Sequence, residues 1–435
     1  MTRQSRWTLL TLLWLTSCGA DSESDSKPVH PEDCPADTAA PASDTAAADT
    51  GIDTGTPPDD SSCATLSWPE HIPVAASTVR PVDGNRSEPW TTVLDPDATG
   101  AVVIGVWSED EDVGPDVCYQ LDSLTADGEV WVHLPTDPID RGLACLSCPE
   151  RVAVRQGAGW FVLRNSGATG PVSELTLQVG IRDCETGAPA LTELGDTIPE
   201  TVTVAMGRLE SEPDTPIRIP IHLVNASSFD LAALTDSTAA AATAHLSPAG
   251  LTAEISMTTR LSPGDTTATY EGANRLGLRA ILSAAMDARS EGDDAPEAAL
   301  PVVLVDCLQE TGLAAGTAEA LTTAIPGVPA HACSQDAIFL RVGQCTGTEP
   351  TAYPWTDDSL GKVLAHEIGH FLGLYHSVES DGTEDHLTDT DENNLMNFAT
   401  LSSTSSGLSA SQISVLQVHA YLLGSTSASD YPRLR

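Results

Sequence analysis

Three histidines at fixed spacing, His366, His370 and His376, with an acid at Glu367, are the residues of this chain best placed to do chemistry. On a helix, His366 and His370 lie four residues apart and project from one face. Two imidazoles so placed can chelate one metal ion. His376 cannot join them from the same continuous helix, because six residues beyond His370 is a rotation of about 240°. The chain must therefore turn, and Gly373 is where it can, since glycine accepts a positive φ and ends a helix. Three neutral imidazoles suit zinc and leave its fourth position for a water. The metal draws the pKa of that water towards about 7. Glu367 follows the first ligand, and its carboxylate is the base that takes the water's proton and returns it to a leaving group. That is hydrolysis at a carbonyl with no covalent intermediate. Five fixed positions recur by chance in a chain of this length with a probability on the order of 10⁻⁴, so scattered surface histidines are a weak alternative.

The element that must carry the pair is a helix over Ser359 to Gly373. Val363, Leu364, Ile368, Phe371 and Leu372 supply its packing faces. Ser359 is the expected N-cap, with Asp357 and Asp358 near the positive end of the helix dipole. Upstream, TPIRIPIHLV reads as a strand, Asp230 to His245 as an Ala-rich helix, and TAEISMTTRL as a strand. Asn274 to Ala288 reads as a helix, LPVVLVDCL and DAIFLRV as strands, and Ser409 to Leu423 as the last helix. Strands and helices alternate, which indicates an α/β unit over residues 197–425. Residues 63–186 differ: short apolar or alternating runs such as AVVIGVW, EVWVHL and ELTLQVGI are separated by turn residues. An antiparallel β-sandwich is expected there, in an accessory role. His71 and His133 are isolated in it and read as surface or packing residues.

HEIGHFLGLYH matches the H-E-x-x-H-x-x-G-x-x-H signature, and here the chain resembles the metzincin zinc proteases. That family carries a methionine turn beneath its zinc, and Asn393-Asn394-Leu395-Met396-Asn397 is similar to it. The resemblance makes Met396 an apolar floor under the ligands. GLYH followed by DTDENNLMN is most similar to the pappalysin-like, or cytophagalysin, branch. The resemblance implies an α/β catalytic domain with a mixed sheet, an active-site helix and a C-terminal helix, acting on protein or peptide substrates. It covers residues 359–400, extends loosely to the elements from 215 and the closing helix, and leaves out the N-terminal half. Several branches place a tyrosine two residues after the methionine; Phe398 stands there and has no hydroxyl to offer. Tyr375 is expected to pack outward. The acidic run Glu379 to Glu392 offers oxygen ligands of the kind calcium takes, and the branch can hold calcium near its site. Its spacing matches no defined calcium loop, and a solvated loop is the better reading.

The 435 residues carry a net charge of -42, a surface that repels phosphate backbones and excludes nucleic-acid binding. Residues 1–17 read as an export signal: Arg3 and Arg6 precede an apolar run too short to span a bilayer. Leu15-Thr16-Ser17-Cys18 resembles a bacterial lipobox, which makes Cys18 the lipidation site and lipid the only membrane anchor. Residues 18–62, rich in Asp, Ala, Thr and Pro, read as a disordered tether. The protein is therefore expected at the bacterial outer membrane or cell surface, or released from it. Ten cysteines in an exported chain suggest disulfides. Of Cys307, Cys333 and Cys345, the simplest pair by sequence distance is Cys333 with Cys345. The rival to a protease is a catalytically silent surface-binding or adhesion lipoprotein that kept the fold. The intact ligand set and base argue against it.

Overall fold

The computed structural model describes residues 74–79, 81–82, 86–93, 102–108, 117–133, 155–156, 159–163, 173–183, 201–208, 216–229, 235–261, 267–270, 299–310, 316–318, 320–322, 337–345, 352, 354–378, 384–385, 387, 389–391, 393–398 and 407–425, together with Leu278 and Ile281. Contacts divide the chain into Met1–Gly55 and Thr56–Arg435, and every described residue belongs to the second unit. The export signal, Cys18, the tether and the helix expected over Asn274 to Ala288 lie outside the described residues, Leu278 and Ile281 of the last excepted. So do Cys34, Cys63, Cys145, Cys148, Cys184, Cys333, His71 and His386. Among the described residues no helix is long and apolar enough to cross a membrane.

The N-terminal part forms two antiparallel sheets. One aligns Val74–Val79, Val202–Arg208, Val102–Trp107 and Gly159–Leu163 in that order. The other is built on the long paired strands Val117–Ala126 and Glu174–Asp183. Alternate residues are buried along them, as in Ile104 and Val106, or Leu175, Leu177 and Val179, the period of two that strands impose. Val202–Arg208 pairs with Val74–Val79 and Val102–Trp107, although it falls inside the span 197–425 read as the α/β unit. Its alternating VTVAMGR carries no mark of which sheet it joins.

The α/β part opens with β1 (Ile217–Asn225), α1 (Thr235–Leu246) and β2 (Leu251–Arg260). Then come β3 (Thr267–Tyr270), β4 (Leu300–Val305), β5 (Cys307–Glu310), β6 (Gly316–Ala318), β7 (Ala320–Thr322) and β8 (Ile338–Arg341). Two helices follow, α2 (Asp357–Phe371) and α3 (Ala410–Ser425). The main sheet runs β2-β1-β4-β8-β7, and β3-β5-β6 form a smaller one. In the main sheet β2, β1, β4 and β8 are parallel, and β7 is antiparallel to β8. Strand β4 is buried throughout, as expected of a parallel strand covered on both faces. Leu300, Val302 and Leu304 share one core with residues of all three helices, so α1, α2 and α3 cover the same face. Val303 and Val305 enter a second core on the other face.

Two expectations are corrected here. The disulfide joins Cys307 to Cys345, with Cα atoms 4.9 Å apart, and not Cys333 to Cys345. Pairing between β4 and β8 continues outward through Val342 N–H to Val305 O and Gly343 N–H to Asp306 O, which brings Cys345 beside Cys307. The cap of α2 is Thr356 and not Ser359: the Thr356 hydroxyl accepts the Ser359 N–H, and Ser359 Oγ accepts the Thr356 N–H. This reciprocal box satisfies two end donors, and it leaves Asp357 and Asp358 in the first turn against the dipole.

Candidate metal centre

Every residue of α2 from Leu360 to Phe371 is buried, including His366, Glu367 and His370. The helix ends in a Schellman motif: Leu374 N–H donates to Gly369 O at 2.9 Å and Gly373 N–H to His370 O at 3.0 Å. Gly373 has φ +94°, so the chain reverses there and carries His376 back towards the helix. The nitrogen ligand atoms of His366, His370 and His376 all lie within 4.8 Å of one another, the one such cluster among the described residues. The ring centroids of His376 lie 5.3 Å from those of His366 and 4.6 Å from those of His370.

The protonation of the pair follows from its partners. His366 Nδ1–H donates to Leu395 O at 2.7 Å, and His370 Nδ1–H donates to Leu374 O at 2.8 Å. A carbonyl only accepts, so each Nδ1 holds the proton and each neutral ring has a bare Nε2. Those two Nε2 atoms face each other at 3.0 Å. Burial, reinforced by the His376 charge, pushes His366 down to about 3 and His370 well below the ordinary imidazole value. At neutral pH no proton therefore sits between them, and two lone pairs are aimed at one point. A cation there resolves the repulsion. Two imidazole nitrogens on a tetrahedral zinc lie roughly 3.3 Å apart, within a few tenths of an ångström of this separation. The donor set and the backbone partners that orient it fit a zinc ion.

Beneath the pair, Met396 is fully buried, and a Cβ built at Gly369 would run into its Sδ. The methionine turn is fastened to the third histidine's loop, since Ser377 N–H donates to Met396 O at 2.8 Å. Phe398 is 48% exposed. Tyr375, expected to face outward, is buried: the reversal at Gly373 turns it into the protein. In the acidic run, Asp385 accepts from Leu387 N–H and Thr390 Oγ1–H, Asp391 from Asn393 N–H, and Asp389 from Ser411 N–H at the start of α3. These carboxylates fold the loop and cap a helix. Against its own partial burial, which raises it, hydrogen bonds from the Ser411 backbone, from the Ser409 and Ser411 side chains and from its own backbone N–H hold the Asp389 carboxyl below the usual carboxylate range.

Lys362, one turn before His366, is buried as well. Desolvation lowers its ammonium pKa, opposed by Asp358, and its charge adds to the depression of His366. The backbone carbonyls of Leu374 and Leu395 are announced by no residue type. Asn394 and Gln412, whose paired amides hold the methionine turn, are likewise unmarked in the sequence. Asn394 closes the polar run Asp391-Glu392-Asn393-Asn394, and Gln412 lies between Ser411 and Ser414 two positions on, so neither stands out from its neighbours.

No protein-family model matches the sequence, and no curated protein is detectably similar to it. Among solved structures the chain is similar to archaemetzincin from Methanopyrus kandleri, at 15% identity and a TM-score of 0.29, covering 46% of this chain and 95% of that one. It is also similar to metalloproteinase-II from Bacteroides fragilis, at 14% identity and a TM-score of 0.30, covering 53% of this chain and 67% of that one. Scores this low leave the site's own geometry to carry the functional reading.

Proposed function

We propose that this chain is a zinc-dependent endopeptidase of the metzincin type, most similar to the pappalysin-like branch, acting on protein or peptide substrates. The observation that carries the reading is the pair of bare imidazole nitrogens 3.0 Å apart, with a third imidazole beside them. His366, His370 and His376 would hold the ion. When bound, zinc supplies Lewis acidity to a substrate carbonyl and to a water. Glu367 takes the proton of the attacking water and returns it to the leaving amine nitrogen. Leu395 O and Leu374 O hold both helical imidazoles in the tautomer that presents Nε2. Met396 closes the site from below with a group that offers no competing proton. The lipobox-like Leu15 to Cys18 supports export and a lipid anchor at Cys18, with residues 18–62 as a tether and the antiparallel sheets as an accessory part.

Glu367→Gln tests the mechanism against a silent binding protein. The variant should keep its zinc and lose about 10²- to 10⁴-fold in peptide hydrolysis. Hydrolysis of unlabelled casein by the native chain should stop on chelation and return with zinc. Full activity in Glu367→Gln, or no hydrolysis by the zinc-loaded native chain across a peptide library, would refute the reading.

A further inference from the structure

We infer that α3 positions the metal site, setting through Gln412 and His419 the two backbone carbonyls that orient His366 and His370. This rests on the metal-centre reading above. The first carbonyl, Leu395 O, belongs to the methionine turn. Asn394 in that turn and Gln412 in the first turn of α3 exchange two amide hydrogen bonds, Asn394 Nδ2–H to Gln412 Oε1 at 2.8 Å and Gln412 Nε2–H to Asn394 Oδ1 at 3.0 Å. Each acceptor is used twice: Asn394 Oδ1 also accepts Met396 N–H at 2.9 Å, and Gln412 Oε1 also accepts Ser409 N–H at 3.0 Å. Neither amide can flip without breaking several bonds, and both side chains are buried. The turn that presents Leu395 O is thereby locked to the helix.

The second carbonyl, Leu374 O, follows the reversal at Gly373. The buried His419 ring lies directly on that glycine, where a Cβ would fall 2.6 Å from His419 Cε1. Gln412 and His419 are seven residues apart, close to two helical turns, and share one side of α3. Val415 and Leu416 between them pack in the core that includes α2. One rigid element thus touches both loops that hold the imidazoles. Partners one step behind a metal ligand tune its affinity, and here that step leads to α3.

The test uses the full chain, freed of metal, with zinc affinity measured by competition against a chromophoric chelator. Gln412→Met keeps the side-chain volume and removes the amide; it should weaken zinc binding on the order of tenfold and shift the cobalt(II) absorption spectrum. Asn394→Asp, which keeps the acceptor for Met396 N–H and loses the donor to Gln412, should weaken binding in the same direction. Gln417→Met is the control, because Gln417 Nε2–H donates to Ala249 O, away from the site; its zinc affinity should match the native chain. A merely structural role would lower the melting temperatures of metal-free and zinc-loaded forms equally. A positioning role shrinks the rise in melting temperature that zinc produces. Native zinc affinity and an unchanged cobalt spectrum in both Gln412→Met and Asn394→Asp would overturn the inference. Failure of the native chain to bind zinc would instead overturn the metal-centre reading beneath it.

Discussion

Replacing Gly373 by alanine perturbs the one bend on which the third ligand depends, and the structure separates its two costs. Gly373 sits at φ +94°, a region where an L side chain costs roughly 1–2 kcal/mol. The new methyl would also fall 2.6 Å from His419 Cε1 and 2.7 Å from its Nε2. A contact that close forces the ring or the turn to move, a cost of about 1–3 kcal/mol by analogy with overpacked cores. Gly373→Ala should therefore lose about 2–5 kcal/mol in urea denaturation of the metal-free chain. A double-mutant cycle divides the total. Adding His419→Ala removes the clash and leaves the backbone strain, so Gly373→Ala should cost about 1–2 kcal/mol in that background. The same cost in both backgrounds would show that the ring does not constrain the turn. A loss below about 0.5 kcal/mol in the native background, the size of an ordinary surface change, would refute the geometry altogether.

Further outcomes follow from the same geometry. His366 and His370 are held below the ordinary imidazole value when folded, His366 at about 3, so the unfolded chain binds protons that the folded chain refuses. Their contribution to metal-free stability is full above pH ~6.5 and is lost as the pH falls towards 3, on the order of 5 kcal/mol for His366 alone; the native chain should lose stability across that window faster than His366→Gln, and equal slopes would contradict the assignment. Cys307 and Cys345 are 38 residues apart, a loop whose closure stabilises by about 3–4 kcal/mol. Cys307→Ala with Cys345→Ala should lower the denaturation midpoint accordingly, and an unchanged midpoint would show the bridge to be energetically idle.

The convergence of His366, His370 and His376 was legible because it depends on helical spacing and on one glycine, both of which the sequence displays. The central strands were legible for a similar reason: IRIPIHLV and LPVVLV are apolar runs flanked by polar segments. What stayed hidden depends on which segments meet in space. Thr356 and Ser359 are both good capping residues, and only the reciprocal bonds between them decide which one begins the helix. Cys333 is nearer to Cys345 in sequence, but the parallel pairing of β4 with β8 delivers Cys307. The strand Val202–Arg208 alternates like any half-buried strand, so its place in the antiparallel sheet could not be read from its residues. Leu395 and Leu374 act through their backbone, where residue type carries no information.

The most direct test of the central claim is X-ray absorption at the zinc edge on the purified, zinc-loaded chain. Three histidine imidazoles should appear at about 2.0–2.1 Å with a light-atom fourth ligand, and His376→Ala should reduce the imidazole count by one. Spectra fitted by sulfur ligands, or by two imidazoles that persist unchanged in His376→Ala, would contradict it.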